Sequence, residues 1–118
     1  MLDNQKAILA VKALDSKKGL NIEVLKVADL TVLTEYFVLV TGTSNTHIRS
    51  LAEEVEYQLE QANIRPERIE GKATGWILLD YGDVIVHVFS AEQREQYCLE
   101  KLWADAQPED LGGLVTEN

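Results

Sequence analysis

The chain has one cysteine, Cys98, and two histidines, His47 and His87, among its 118 residues. A lone cysteine excludes an intrachain disulfide, and a reduced thiol fits a cytoplasmic protein. His47, His87 and Cys98 are scattered through the sequence without the close spacing of a metal site, so no metal is expected. No apolar run approaches the roughly 18 residues of a membrane-spanning helix. Met1-Leu2-Asp3-Asn4 lacks the basic region and apolar stretch of a secretory signal. Neither G-x-x-x-x-G-K-[ST] nor G-x-G-x-x-G occurs, which removes two familiar phosphate-binding loops. Basic charge is also short: 11 Lys and Arg stand against 20 Asp and Glu, for a net charge of -9. A nucleic-acid backbone or an anionic bilayer repels such a chain, and a basic protein surface is its natural partner.

What is present describes one folded body. With 46% hydrophobic and 26% charged residues the chain lies outside the disordered class, and its length supports a single core. Asn4 or Asp3 caps a first helix over 4–18, with Ala7, Ile8, Val11 and Leu14 on one stripe. Ile22 to Ala28 reads as a strand, and Asp29 to Thr34 breaks the pattern with turn formers. Tyr36 to Val40 is apolar throughout, as a strand covered on both faces would be. Gly42-Thr43-Ser44-Asn45 leads into a helix with Ile48, Leu51, Ala52, Val55, Leu59 and Ala62 inward, ended by Asn63. Glu67 to Glu70 is a polar edge strand, and Gly71 to Gly75 is a loop.

Trp76 to Tyr81 and Val84 to Phe89 form a hairpin around Gly82-Asp83. Ser90-Ala91-Glu92-Gln93 is a capping box, and Cys98, Leu99, Leu102 and Trp103 make the inner stripe of a last helix. The fold class is therefore α/β, in the order α-β-β-α-β-β-β-α, with a mixed sheet of about five strands. Residues 1–103 are expected to be one domain, and 104–118, which lack periodicity, a flexible tail.

The hairpin register decides where chemistry sits. Tyr81 opposite Val84 places Leu78 opposite His87 and Trp76 opposite Phe89. One face then holds Ile77, Leu79, Tyr81, Val84, Val86 and Val88, which belong under helices. The other holds Trp76, Leu78, Asp80, Ile85, His87 and Phe89, large aromatics among ionisable groups, on a face expected to be less covered. That mixture suits protein recognition, since a rigid aromatic supplies affinity and nearby charges supply orientation. A half-exposed sheet face with a structural His87 is the competing reading.

A second function class remains open. Gly42-Thr43-Ser44 before a helix could cradle an anion, with His47 beside it, as in a nucleotide- or metal-dependent transferase. The nearest carboxylates, Asp80 and Asp83, lie three apart across a turn, the wrong phase for a metal pair on one strand.

Tyr36-Phe37-Val38, Thr41-Gly42-Thr43-Ser44, Glu70-Gly71, the run from Trp76 to Phe89 and Tyr97-Cys98-Leu99-Glu100-Lys101-Leu102-Trp103 together resemble the Iojap or ribosomal silencing factor family. The likeness runs from about residue 4 to Trp103, with Cys98 where many members carry Asp. It implies a nucleotidyltransferase-like sheet that has lost its catalytic groups, hence no enzyme and no cofactor. It also implies binding to ribosomal protein fourteen of the large subunit, a block on subunit joining, and lower translation when nutrients are scarce. Homodimers, and little or no direct nucleic-acid contact, belong to the same expectation. On this reading the partner-binding residues are Trp76, Leu78, Asp80, Asp83, His87, Tyr97, Glu100, Lys101 and Trp103.

Overall fold

In the computed structural model, residues 4–28, 34–71, 75–97, 107, 108 and 111 are described. Residues 29–33 of the turn expected over Asp29 to Thr34, loop residues 72–74 and the last helix beyond Tyr97 lie outside them. The elements are α1 (Gln5–Ser16), β1 (Leu20–Lys26), β2 (Tyr36–Gly42), α2 (Asn45–Gln61), β3 (Arg68–Glu70), β4 (Trp76–Asp80), β5 (Val84–Ser90), α3 (Ala91–Tyr97) and β6 (Gln107–Pro108). They form a mixed sheet in the order β3-β4-β5-β2-β1-β6. Among the described residues, only the β2·β5 pairing is parallel. The expected order of elements is present, and β2 is buried at every position between β5 and β1. The polar β3 lies at one edge as its composition predicts, and at the other edge β6 adds a sixth strand from a stretch without periodicity.

α1 and α2 cover one face. Ala7, Ala10, Val11, Ala13 and Leu14 of α1 and Ile48, Leu51, Ala52, Val55 and Leu59 of α2 meet Val24, Val38, Val40, Ile77, Leu79, Val86 and Val88 of the sheet. Three alanines on the buried stripe of α1 let it approach α2 closely. Asn4 caps α1 by accepting the Ala7 N–H, and Ser44 caps α2 by accepting the His47 N–H. Asn63 ends α2 in a left-handed conformation (φ 62°), with Ile64 N–H donating to Leu59 C=O, as the sequence predicts.

α1 ends by the same device one residue earlier than its glycine predicts. Lys18, not Gly19, takes the left-handed position (φ 60°), and the Gly19 N–H donates to Leu14 C=O. A left-handed lysine costs about 1–2 kcal/mol, and a glycine there would cost about 0.5–1 kcal/mol in the entropy of the unfolded chain. Lys18→Gly is therefore expected to stabilise by about 0.5 kcal/mol and to raise the melting temperature by a few degrees in calorimetry. The early stop also starts β1 at Leu20, two residues before the expected strand. One extra residue then bulges between Leu20↔Thr41 and Glu23↔Leu39, with Asn21 at φ 51°. Among the described residues, no helix is long and apolar enough to cross a membrane.

Candidate partner-binding surface

The hairpin has the expected register: Trp76 pairs with Phe89, Leu78 with His87, and Tyr81 N–H donates to Val84 C=O. Gly82 turns it at φ +87°, a conformation that side chains rarely adopt, and a Cβ there would run into the Glu67 carboxylate. Ile77, Leu79, Tyr81, Val84, Val86 and Val88 all face the helices, as predicted. Burial pushes the Tyr81 hydroxyl well above its ordinary value, with the Glu56 charge adding to it.

The opposite face is less open than its sequence suggests. Phe89 and His87 are buried, and with Leu25, Val27, Phe37 and Leu39 they form a second small core. Trp76 and Ile85 pack against that core, and Trp76, Leu78, Asp80 and Ile85 are each half-buried. α3 lies over β5 and β2, with the Arg94 guanidinium against the Phe89 ring, and covers the end of the face that carries Phe89. Trp76, Leu78 and Asp80 along β4, beside β3, and Ile85 of β5 keep partial exposure.

Trp76 is held there by its neighbours. Its ring lies 5.4 Å from Phe89 and 5.9 Å from His87, and Phe37 meets His87 edge-on at 5.1 Å. The indole N–H donates to His87 Nδ1 at 3.2 Å, which requires the imidazole to be neutral and to carry its proton on Nε2. Burial lowers the His87 pKa from 6.5 to about 4, so the acceptor is available at neutral pH. His87 therefore acts beneath the surface, as the support of Trp76. His87 Nε2 has no hydrogen-bond partner among the described residues.

The charges beside Trp76 come from the hairpin and the edge strand. Arg68 and Glu70 of β3 stand opposite Asp80 and Leu78. Arg68 reaches the Asp80 carboxylate at 3.4 Å and Glu70 at 3.6 Å. Asp80 Oδ1 also accepts the Gly82 N–H at 2.8 Å, which ties it to the turn. Asp83, which the sequence places with Asp80 in the partner-binding set, points elsewhere. Its carboxylate accepts from Lys6 Nζ at 2.7 Å and Asn4 Nδ2 at 3.0 Å, fastening α1 to the hairpin. Burial pushes that carboxyl up, but the hydrogen bonds from Lys6 and Asn4 and the Lys6 charge outweigh it and hold it below the ordinary carboxylate value. Tyr97 is the last described residue of α3, and Glu100, Lys101 and Trp103 lie outside the described residues.

The turn before α2 is occupied from within. The Thr43 N–H donates to His47 Nδ1 at 2.9 Å, and the His47 N–H donates to Ser44 Oγ at 3.0 Å. His47 Nε2 donates to Lys17 C=O at 2.8 Å, so this histidine joins the two helix ends. A Cβ on Gly42 would sit 2.6 Å from Ile48 Cγ1, so the glycine serves close packing. Among the described residues, no group of three or more His, Cys, Asp and Glu side chains could hold a metal ion.

One buried cation was not singled out in the sequence. Arg94 of α3 donates to Asn21 C=O at 2.6 Å and Thr41 Oγ1 at 3.1 Å, and faces Glu23 at 3.3 Å. Its guanidinium lies 5.8 Å from the centre of the Phe89 ring. The signal was available, since Arg94 stands four residues before Cys98, on the stripe expected to face inward.

The fold that carries this surface is shared with known proteins. The family profile described as "Ribosomal silencing factor during starvation" matches residues 2–118. The chain belongs to the RsfS family. Ribosomal silencing factor RsfS of Halalkalibacterium halodurans is 34% identical over 117 residues, covering 98% of this chain and all of that protein. Its counterpart in Bacillus subtilis is 38% identical over 111 residues, 92% of this chain and 94% of that protein. A crystal structure of a Chromobacterium violaceum protein has a TM-score of 0.84 at 34% identity, covering 97% of this chain and 96% of that one. The RsfS match thus confirms the family resemblance and the mixed α/β fold read from the sequence. Both relatives carry the name ribosomal silencing factor.

Proposed function

We propose that this RsfS-family chain silences translation as a steric wedge. It binds the large ribosomal subunit through large-subunit ribosomal protein fourteen, blocks joining of the small subunit, and does so when nutrients are limiting. The observation that carries the reading is the half-buried Trp76, its indole fixed on His87 and flanked by Leu78 and Asp80 on an open strip. A preset aromatic loses little freedom on docking, which is what an interface anchor requires. Tyr97, Glu100, Lys101 and Trp103 join the proposed surface on the strength of the sequence resemblance, and a homodimer of the free protein belongs to the same proposal. No cofactor enters it.

The net charge of -9 supports a basic protein partner. Co-sedimentation with purified large subunits tests the proposal. Affinity is expected to fall as salt rises from low to physiological concentration, mostly through a slower association rate. Binding that is flat with salt would remove the charge argument, and no binding at any salt would overturn the proposal.

A further inference from the structure

We infer that Arg94 is a positioning residue for Trp76, acting through Phe89; this rests on the reading of Trp76 as the anchor. Phe89 is fully buried and meets both the Trp76 ring, at 5.4 Å, and the Arg94 guanidinium, at 5.8 Å. The floor under the tryptophan is therefore held by the cation as well as by the second core. Arg94 is itself held by three strands' worth of structure, through Asn21 C=O and Glu23 of β1, Thr41 of β2 and the Phe89 ring of β5. Thr41 stands in register beside Phe89, and Trp76 pairs with Phe89 from the other side, so the guanidinium bridges β2 and β5 at the level of the tryptophan's partner.

The bulge in β1 gains a purpose on this account. With Asn21 at φ 51°, its carbonyl leaves the regular ladder and is taken by Arg94 at 2.6 Å. A lysine could keep the charge but not the planar fork that engages a carbonyl, a hydroxyl and a carboxylate together while lying against a ring. α3 thus acts as a clamp, and the flat guanidinium is the part that reaches Phe89, the ring on which the anchor rests.

The test uses the full chain labelled with nitrogen-15 and follows the Trp76 indole N–H resonance, assigned with Trp76→Phe. Arg94→Met and Arg94→Lys are expected to shift or broaden that resonance below their melting temperatures, and to weaken large-subunit binding about tenfold. In a Trp76→Ala background, Arg94→Met should add little further loss, because the effect passes through the tryptophan. A merely structural Arg94 would lower the melting temperature and leave the indole resonance of the folded protein in place, which would overturn the inference. If Arg94→Met does not fold, Arg94→Lys carries the same test. The indole resonance reports on positioning even if large subunits are not the partner, so failure of the wedge proposal and failure of this inference are read separately.

Discussion

Trp76→Ala is expected to weaken binding to large ribosomal subunits about thirtyfold, the loss of about 2 kcal/mol that truncating an interface anchor produces. The wild-type indole is already oriented by its hydrogen bond to His87 and by contact with Phe89, so its contribution is made without ordering a loose side chain. The ring packs on the second core rather than within it, and the main core between the sheet and α1 and α2 does not include it. Far-UV circular dichroism and a cooperative melt should accordingly survive the substitution. Asp80→Ala should cost less affinity, since its carboxylate is shared with Arg68 and the Gly82 N–H. An unfolded Trp76→Ala would make Trp76 a core residue and move the binding surface elsewhere.

The second large effect is on stability in acid. His87 is neutral in the folded protein down to about pH 4, whereas the unfolded chain takes up its proton near 6.5. The unfolded state therefore binds more protons between these values, and acid favours it. The contribution is complete above pH 6.5, falls as pH drops towards 4, and is flat below that. At roughly 1.4 kcal/mol per pH unit the full span is worth about 3.5 kcal/mol. Urea melts at closely spaced pH values read this slope. His87→Asn places an amide oxygen where Nδ1 accepts from the indole and cannot titrate in this range, so its stability should run nearly flat from pH 6.5 to 4.5. A wild-type slope unchanged in His87→Asn would mean that the acid sensitivity arises elsewhere.

Most of the fold is legible in local patterns. Alternation in the hairpin and the two-residue Gly82-Asp83 turn fix the register, and register alone assigns Ile77, Leu79, Val86 and Val88 to the helix-covered face. The uniform burial of β2 follows from its unbroken apolar run. What local pattern could not convey is long-range closure. Phe89 and His87 sit on a face of mixed polarity; Phe89 is met by Arg94 of α3, and His87 by the rings of Phe37, Trp76 and Phe89, and neither the return of α3 nor the arrival of Phe37 is encoded by periodicity within the hairpin. Asp83 looks like a surface charge at a turn until Lys6 and Asn4 arrive from the other end of the chain. The β1 bulge is hidden for the same reason, because its stabilising partner, Arg94, lies 73 residues away. The Trp76 strip itself combines both kinds of information: its residues come from strand alternation, and its limits come from what α3 covers.

A wedge seated on the large ribosomal subunit would keep the small one from joining it. A sucrose gradient reads this when the wild-type protein is added to purified large subunits before small subunits. On the proposed function, joined particles should fall in proportion to added protein, and the protein should travel with the large-subunit peak. Joined particles forming undiminished, with the protein left at the top of the gradient, would contradict it.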